Sequence, residues 1–163
     1  MSAIQRVGVI GAGVMGAGIA AQMANASLPV VLLDVVPGGA AKSVAAMLRA
    51  DPAPFMHRGA AKLVQPGDLE GDLPLLADCD WVVEAITERL EAKRELYARL
   101  DGVLKPGAVL SSNTSTIPLR ALAEGPGEAV AVECWRERGE ALTALMRIDA
   151  AESGDRDTPP AMQ

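Results

Sequence analysis

The chain has 163 residues, enough for one domain with a real core and short for two. Half of it is hydrophobic, only 2% is aromatic and its net charge is −6, which argues against base-stacking platforms, a nucleic-acid partner and an anionic membrane surface. No apolar run approaches the roughly 20 residues that span a bilayer, and because the strand pattern starts almost at once at Arg6, no cleavable leader is expected.

Arg6-Val-Gly-Val-Ile10 is short, apolar and β-branched, as expected of a buried parallel strand. Gly11 to Gly16 is a glycine turn, and Ala17 to Asn25 reads as a helix of small residues and good helix formers. Val30-Val-Leu-Leu33 is a second buried strand ending at Asp34, followed by a turn at Pro37 to Gly39 and a helix over Ala40 to Arg49. Asp51 to Asp72 is irregular, interrupted by Pro52, Pro54, Pro66 and Gly67, with a short strand expected at Lys62-Leu-Val64. Leu73 to Leu76 suggests a short helix, and Trp81 to Ile86 a strand. Glu88 to Leu100 is a helix with Leu90, Leu96, Tyr97 and Leu100 near one face and charges elsewhere. Ala108-Val-Leu110 is a strand leading into Ser111 to Ser115, and Ile117 to Ala123 a short helix with Pro118 in its first turn.

The character changes after Glu124. Gly125-Pro-Gly127 is a break, Ala129 to Cys134 is expected to be a strand and Gly139 to Ala150 a helix. This gives a Rossmann-type domain over residues 1–124, a divergent extension over 125–150, and a polar, Pro-rich tail over 151–163 expected to be disordered. The strand–helix alternation implies an α/β fold: a single-domain, doubly wound parallel sheet. Cys79 and Cys134 have no metal-ligand spacing, so no metal is expected, and the chain reads as cytoplasmic with reduced thiols.

Gly11-Ala-Gly-Val-Met-Gly16 is a G-x-G-x-x-G that follows a strand, opens a helix and leads to an acidic residue at the end of the next strand. Gly11 permits the tight turn, Gly13 leaves room for a pyrophosphate, and Gly16 lets the helix pack on the strand; Gly18 and Ala20 are expected to keep that surface small. Gly11, Ala12, Gly13, Val14, Met15 and Gly16 thus form a candidate cofactor-binding turn, whose helix N-terminus offers free N–H groups to phosphate. Asp34 lies eighteen residues past Gly16, where a carboxylate accepts from ribose hydroxyls and repels a 2′-phosphate, favouring NAD over NADP. The alternatives are a flavin site or a Rossmann fold without cofactor.

With these features placed, residues from about Val7 to Glu124 resemble the NAD-binding domain of the L-3-hydroxyacyl-CoA dehydrogenases of fatty-acid β-oxidation. Four stretches carry the resemblance: Val7 to Ala20, Asp78-Cys-Asp-Trp-Val-Val-Glu-Ala-Ile86, Glu88-Arg-Leu-Glu-Ala-Lys93, and Ser112-Asn-Thr-Ser-Thr-Ile-Pro118. The last is the most specific. The resemblance implies that Ala85, Glu88 and Lys93 help hold NAD, that Asn113 and Ser115 lie beside the nicotinamide, and that Ser115 hydrogen-bonds the substrate's 3-oxygen. Asn113 and Ser115 are therefore also the candidate catalytic residues. The plain structural alternatives are a helix N-terminal acid for Glu88, a solvated helix charge for Lys93, and a capping or turn serine before Ile117 for Ser115.

The family's base is a histidine opening a His-Phe-Phe-Asn-Pro motif about twenty residues past the serine. Here Ala129 to Arg138 contains no histidine; the chain's one histidine is His57, read as a solvated loop residue. The helical domain that completes the acyl-CoA site in the family has no counterpart in this sequence. The expectation is the cofactor part of such an enzyme, truncated and inactive alone, with acyl-CoA a substrate only if a helical domain is supplied. The alternatives are a non-catalytic NAD-binding or sensing module and a cofactor half completed by a separate helical subunit.

Overall fold

In the computed structural model, which describes residues 4–118, 121–122, 130–135 and 143–148, Val7–Ile10 forms β1 with every residue buried. The chain continues through α1 (Val14–Asn25), β2 (Val30–Asp34), α2 (Gly39–Met47), β3 (Val64–Asp68), the single-turn α3 (Leu69–Asp72), β4 (Trp81–Glu84), α4 (Leu90–Asp101), β5 (Val109–Ser112), β6 (Val130–Trp135) and β7 (Thr143–Ile148). Strands β1 to β5 are mutually parallel. The sheet order is β3-β2-β1-β4-β5-β7-β6, so the direction of winding reverses between β1 and β4. In such sheets ligands bind beyond the strand carboxyl ends at that reversal.

Strand residues alternate between two cores. Val7, Val9, Val30, Leu32 and Val64 pack with Ala17, Ala20, Ala21 and Ala24 of α1 and with Ala40 and Met47 of α2. Ile10, Val31, Leu33, Val82 and Leu110 pack on the other face with Leu96, Tyr97 and Leu100 of α4. Alanine on one face of α1 lets that helix sit close to the strands. Gly18 plays no part in this, contrary to expectation: a Cβ built there meets nothing within 4 Å.

Four sequence expectations are corrected. The segment expected as a helix over Gly139 to Ala150 contains β7 instead, antiparallel to both β5 and β6. Helix propensity there yields to the unpaired edge of β5, whose N–H and C=O groups require a partner. The strand expected at Lys62 to Val64 starts at Val64 and runs through Pro66 and Gly67 to Asp68. It pairs on one side only, and an edge strand accommodates a proline that has no N–H to give. Strand β4 stops at Glu84, two residues before the expected Ile86. Helix α4 starts at Leu90 rather than Glu88.

The short helix expected at Ile117 to Ala123 is described only in part: the Pro118 carbonyl accepts from the N–H groups of Ala121 and Leu122 at 2.9 and 3.3 Å. The expected break at Gly125 to Gly127 and the expected disordered tail lie outside the described residues. Among the described residues, no helix is long and apolar enough to cross a membrane.

Candidate dinucleotide site

Three backbone bonds extend the parallel ladders past the strand ends. Gly11 N–H donates to the Leu33 carbonyl, Ala85 N–H to the Ile10 carbonyl and Asn113 N–H to the Glu84 carbonyl, each at 2.8 Å. The glycine turn, Ala85 and Asn113 are thereby aligned along one edge of the sheet. Gly11 has φ +101°, and a Cβ there would lie 2.5 Å from the Ala85 carbonyl oxygen. A Cβ on Gly16 would overlap the Gly11 carbonyl oxygen. These two glycines serve the turn's own packing.

Gly13 differs. It precedes α1, has extended backbone and a φ of −66°, and a Cβ there would meet no protein atom within 4 Å. The first turn of α1 has no side-chain cap and no acidic residue, so its free N–H groups and partial positive charge are uncompensated by protein. Val14 and Met15 beside them are 91% and 58% exposed. Open space in front of uncapped amides suits an anionic diphosphate. The Asp34 carboxylate, at the end of β2, accepts from Ala12 N–H at 2.6 Å and Val36 N–H at 2.8 Å. Each oxygen keeps a lone pair for a ribose hydroxyl. On these grounds the residues present fit a dinucleotide.

The second half of the site is built on α4. Glu84 and Lys93 are both fully buried, with the Lys93 ammonium 2.6 and 2.8 Å from the two Glu84 oxygens. Tyr97 and Ser112 hydroxyls donate to Glu84 Oε2 at 2.8 and 2.6 Å, and Ile86 N–H to Oε1 at 2.8 Å. Burial and the neighbouring Glu84 push the Tyr97 phenol well above its ordinary range. The alternative of a solvated charge for Lys93 is therefore excluded. Lys93 lies three residues after Leu90 and four before Tyr97, inside the apolar stripe of the helix, a spacing visible in the sequence. Glu84 was missed by sequence reasoning, although a carboxylate within Trp-Val-Val-Glu-Ala-Ile is itself a sign of a buried polar partner.

Glu88 precedes α4 and makes no capping bond to it. Its Oε1 instead accepts from the Thr114 hydroxyl (2.6 Å), the Ser115 and Thr116 N–H groups (both 3.0 Å) and the Thr116 hydroxyl (2.9 Å). Its Oε2 lies 3.5 Å from the Lys93 ammonium. Partial burial raises the Glu88 pKa, but the Thr114 hydroxyl and the Thr116 and Ser115 donors outweigh it and bring it down to about 2. The turn before Ile117 is made by Thr114, whose hydroxyl accepts from Ile117 N–H at 3.3 Å, and not by Ser115. Ser115 and Asn113 are exposed at the loop surface.

His57 is exposed on the loop after α2. Its neighbour Met56 donates its N–H to Asn25 Oδ1 at 2.9 Å, and Asn25 ends α1. Asn25 is the last of the twelve residues of α1, whose first residue Val14 lies in the glycine turn, so the two ends are about 16 Å apart. His57 is thus held near the opposite edge of the sheet from Ser115. The concavity lined by Met47, Leu48, Arg49, Phe55 and Arg58 involves this same end of the fold and none of the glycine-turn residues.

Parallel strands β1 to β5 with their winding reversal at a G-x-G-x-x-G turn, an acid at the end of β2 and a vacant Cβ position at Gly13 define a Rossmann dinucleotide-binding domain. Residues 6–132 match the family described as 3-hydroxyacyl-CoA dehydrogenase, NAD binding domain, and the chain belongs to that family. A probable 3-hydroxyacyl-CoA dehydrogenase of Deinococcus radiodurans is 48% identical over 132 residues, covering 77% of this chain and 38% of that protein. A probable 3-hydroxyacyl-CoA dehydrogenase of Bacillus subtilis is 36% identical over 143 residues, covering 75% of this chain and 18% of that protein. The crystal structure of 3-hydroxybutyryl-CoA dehydrogenase from Escherichia coli superposes with a TM-score of 0.66 at 33% identity, covering 76% of this chain and 27% of that one. The chain therefore spans well under half the length of these relatives. The cofactor of this domain family is NAD.

Proposed function

We propose that this chain supplies the cofactor half of an NAD-dependent oxidation of L-3-hydroxyacyl-CoA to 3-ketoacyl-CoA in fatty-acid metabolism. The observation that carries it is the convergence of four strand ends. Asp34 ends β2, and the Gly11 to Gly16 turn, Ala85 with Glu88, and Asn113 with Ser115 follow β1, β4 and β5 on the same edge of the sheet. The turn holds the pyrophosphate, Asp34 the adenosine ribose, and Ala85 with the segment after β5 lines the nicotinamide end. Asn113 and Ser115 sit beside the nicotinamide, with Ser115 toward the substrate's 3-oxygen. Lys93 contributes by holding Glu88. Held by these residues, NAD would supply the hydride acceptor for the oxidation at C3. The hydroxyl proton needs a base, for which no histidine stands on this edge among the described residues, and the acyl-CoA needs a further surface. Both would come from a helical substrate domain. Residues 1–124 carry the cofactor site in this reading, and the cytoplasm is its setting.

Two measurements on the chain as it stands test this. Calorimetry is expected to show NAD binding more tightly than NADP. NADH absorbance with 3-hydroxybutyryl-CoA is expected to show no turnover, since a positioned base contributes about 10²–10⁴-fold and orientation on the order of 7–11 kcal/mol. Equal affinity for both cofactors would overturn the role of Asp34, and clear turnover would mean that a base lies within this chain.

A further inference from the structure

We propose that Glu88 is a positioning residue: its carboxylate gathers Thr114, Ser115 and Thr116 into one arrangement and so sets where Asn113 and Ser115 stand, with buried Lys93 as its anchor. The inference rests on the nicotinamide-side reading of Asn113 and Ser115 above.

One oxygen of Glu88 collects four donors from three consecutive residues of the loop after β5. That loop is exposed at Ser115 and Thr116, and exposed loops move unless tied. The tie is itself anchored. The Lys93 ammonium lies between Glu88 Oε2 and the fully buried Glu84, and Glu84 takes the Ser112 hydroxyl at the end of β5. Glu88 thus links the start of α4 to a loop whose stem is held by the same lysine. A second grip comes from Arg94 of α4, whose guanidinium donates to the Ala121 carbonyl at 2.9 and 2.5 Å. The loop after β5 is therefore held at Ser112 by Glu84, at Thr114 to Thr116 by Glu88 ahead of α4, and at Ala121 by Arg94 of α4. A glutamate acting only by touching cofactor would not need the loop's donors; a glutamate acting by positioning would.

The probes are NADH and ADP-ribose, which shares every part of the cofactor except the nicotinamide. The variants are Glu88→Ala, Thr116→Val and their combination. Glu88→Ala is expected to weaken NADH about tenfold, reduce the fluorescence change of bound NADH, and leave ADP-ribose within about twofold. Thr116→Val, which removes one of the four donors, is expected to weaken NADH about threefold with ADP-ribose unchanged. The double variant is expected to be no weaker than Glu88→Ala, because both changes cut the same link. Unchanged NADH binding in Thr116→Val beside a weakened Glu88→Ala would overturn the proposal in favour of direct contact. Equal losses for NADH and ADP-ribose would overturn it in favour of a general structural role. Failure of the unaltered chain to bind either probe would overturn the cofactor reading first, and the positioning role with it.

Discussion

Gly13 and Gly16 are glycines for different reasons. At Gly16 a Cβ would strike the backbone of Gly11, whereas at Gly13 it would meet no protein atom within 4 Å. Gly13→Val is therefore expected to abolish NAD binding while leaving far-UV circular dichroism intact. Normal NAD affinity in that variant would move the pyrophosphate elsewhere. Asp34→Ala removes the charged acceptor proposed for the ribose hydroxyls, and a contact of that type is worth about 1.5–3 kcal/mol, so NAD affinity is expected to fall roughly ten- to hundredfold. It also releases Ala12 and Val36 N–H groups, so isothermal titration is to be read beside a melting curve. The buried Glu84–Lys93 pair behaves differently again. Lys93→Met leaves a carboxylate buried without its counter-charge and is expected to cost about 3–5 kcal/mol in urea unfolding. Combining it with Glu84→Gln is expected to cost less than the two single changes summed, since neither charge is then left alone.

At the scale of elements, the short strands depend on tethers at their ends. Asp80, just before β4, accepts from the N–H groups of Gln5 and Arg6 ahead of β1 at 2.7 and 3.0 Å, and from the Lys105 ammonium ahead of β5 at 2.6 Å. The Lys105 bond and the two backbone donors hold its pKa down from 3.8 to about 2. A carboxyl with a depressed folded pKa contributes stability that is present above its unfolded pKa and lost as pH falls through the folded one. The melting temperature of Asp80→Asn is thus expected to lie below that of the unaltered chain at neutral pH, with the gap closing between about pH 4 and pH 2. A gap that persists at the acid end would show the aspartate's contribution to be something other than ionic. In α1 the opposite sign is expected: Gly18→Ala adds a methyl group in open space and is expected to stabilise by about 0.5–1 kcal/mol.

For the whole molecule the decisive geometry is which edge of the sheet a residue occupies. His57 is tied through Met56 to the far end of α1, so His57→Ala is expected to leave NAD affinity within about twofold. A larger loss in calorimetry would mean that the loop reaches the cofactor. Beyond β5 the sheet continues with β7 and β6, so the pairing carries the fold past the residue 124 at which the sequence pattern changes.

Periodicity and turn chemistry determined β1, β2, β4 and β5 with the helices between them, the glycine turn and the acid at Asp34, because each is a local rule: buried strands are apolar runs, and a tight turn needs glycine. The resemblance of Ser112 to Pro118 pointed to the loop after β5, and Glu88 and Ser115 were already singled out. What joins them was decided only by the tertiary structure. The bonds from Glu88 to Thr114, Ser115 and Thr116 span 26 to 28 residues, and no spacing rule reaches that far. The strand at Thr143 to Ile148 was decided there too, since the helix preference of that segment gives way to the pairing that an open sheet edge offers it.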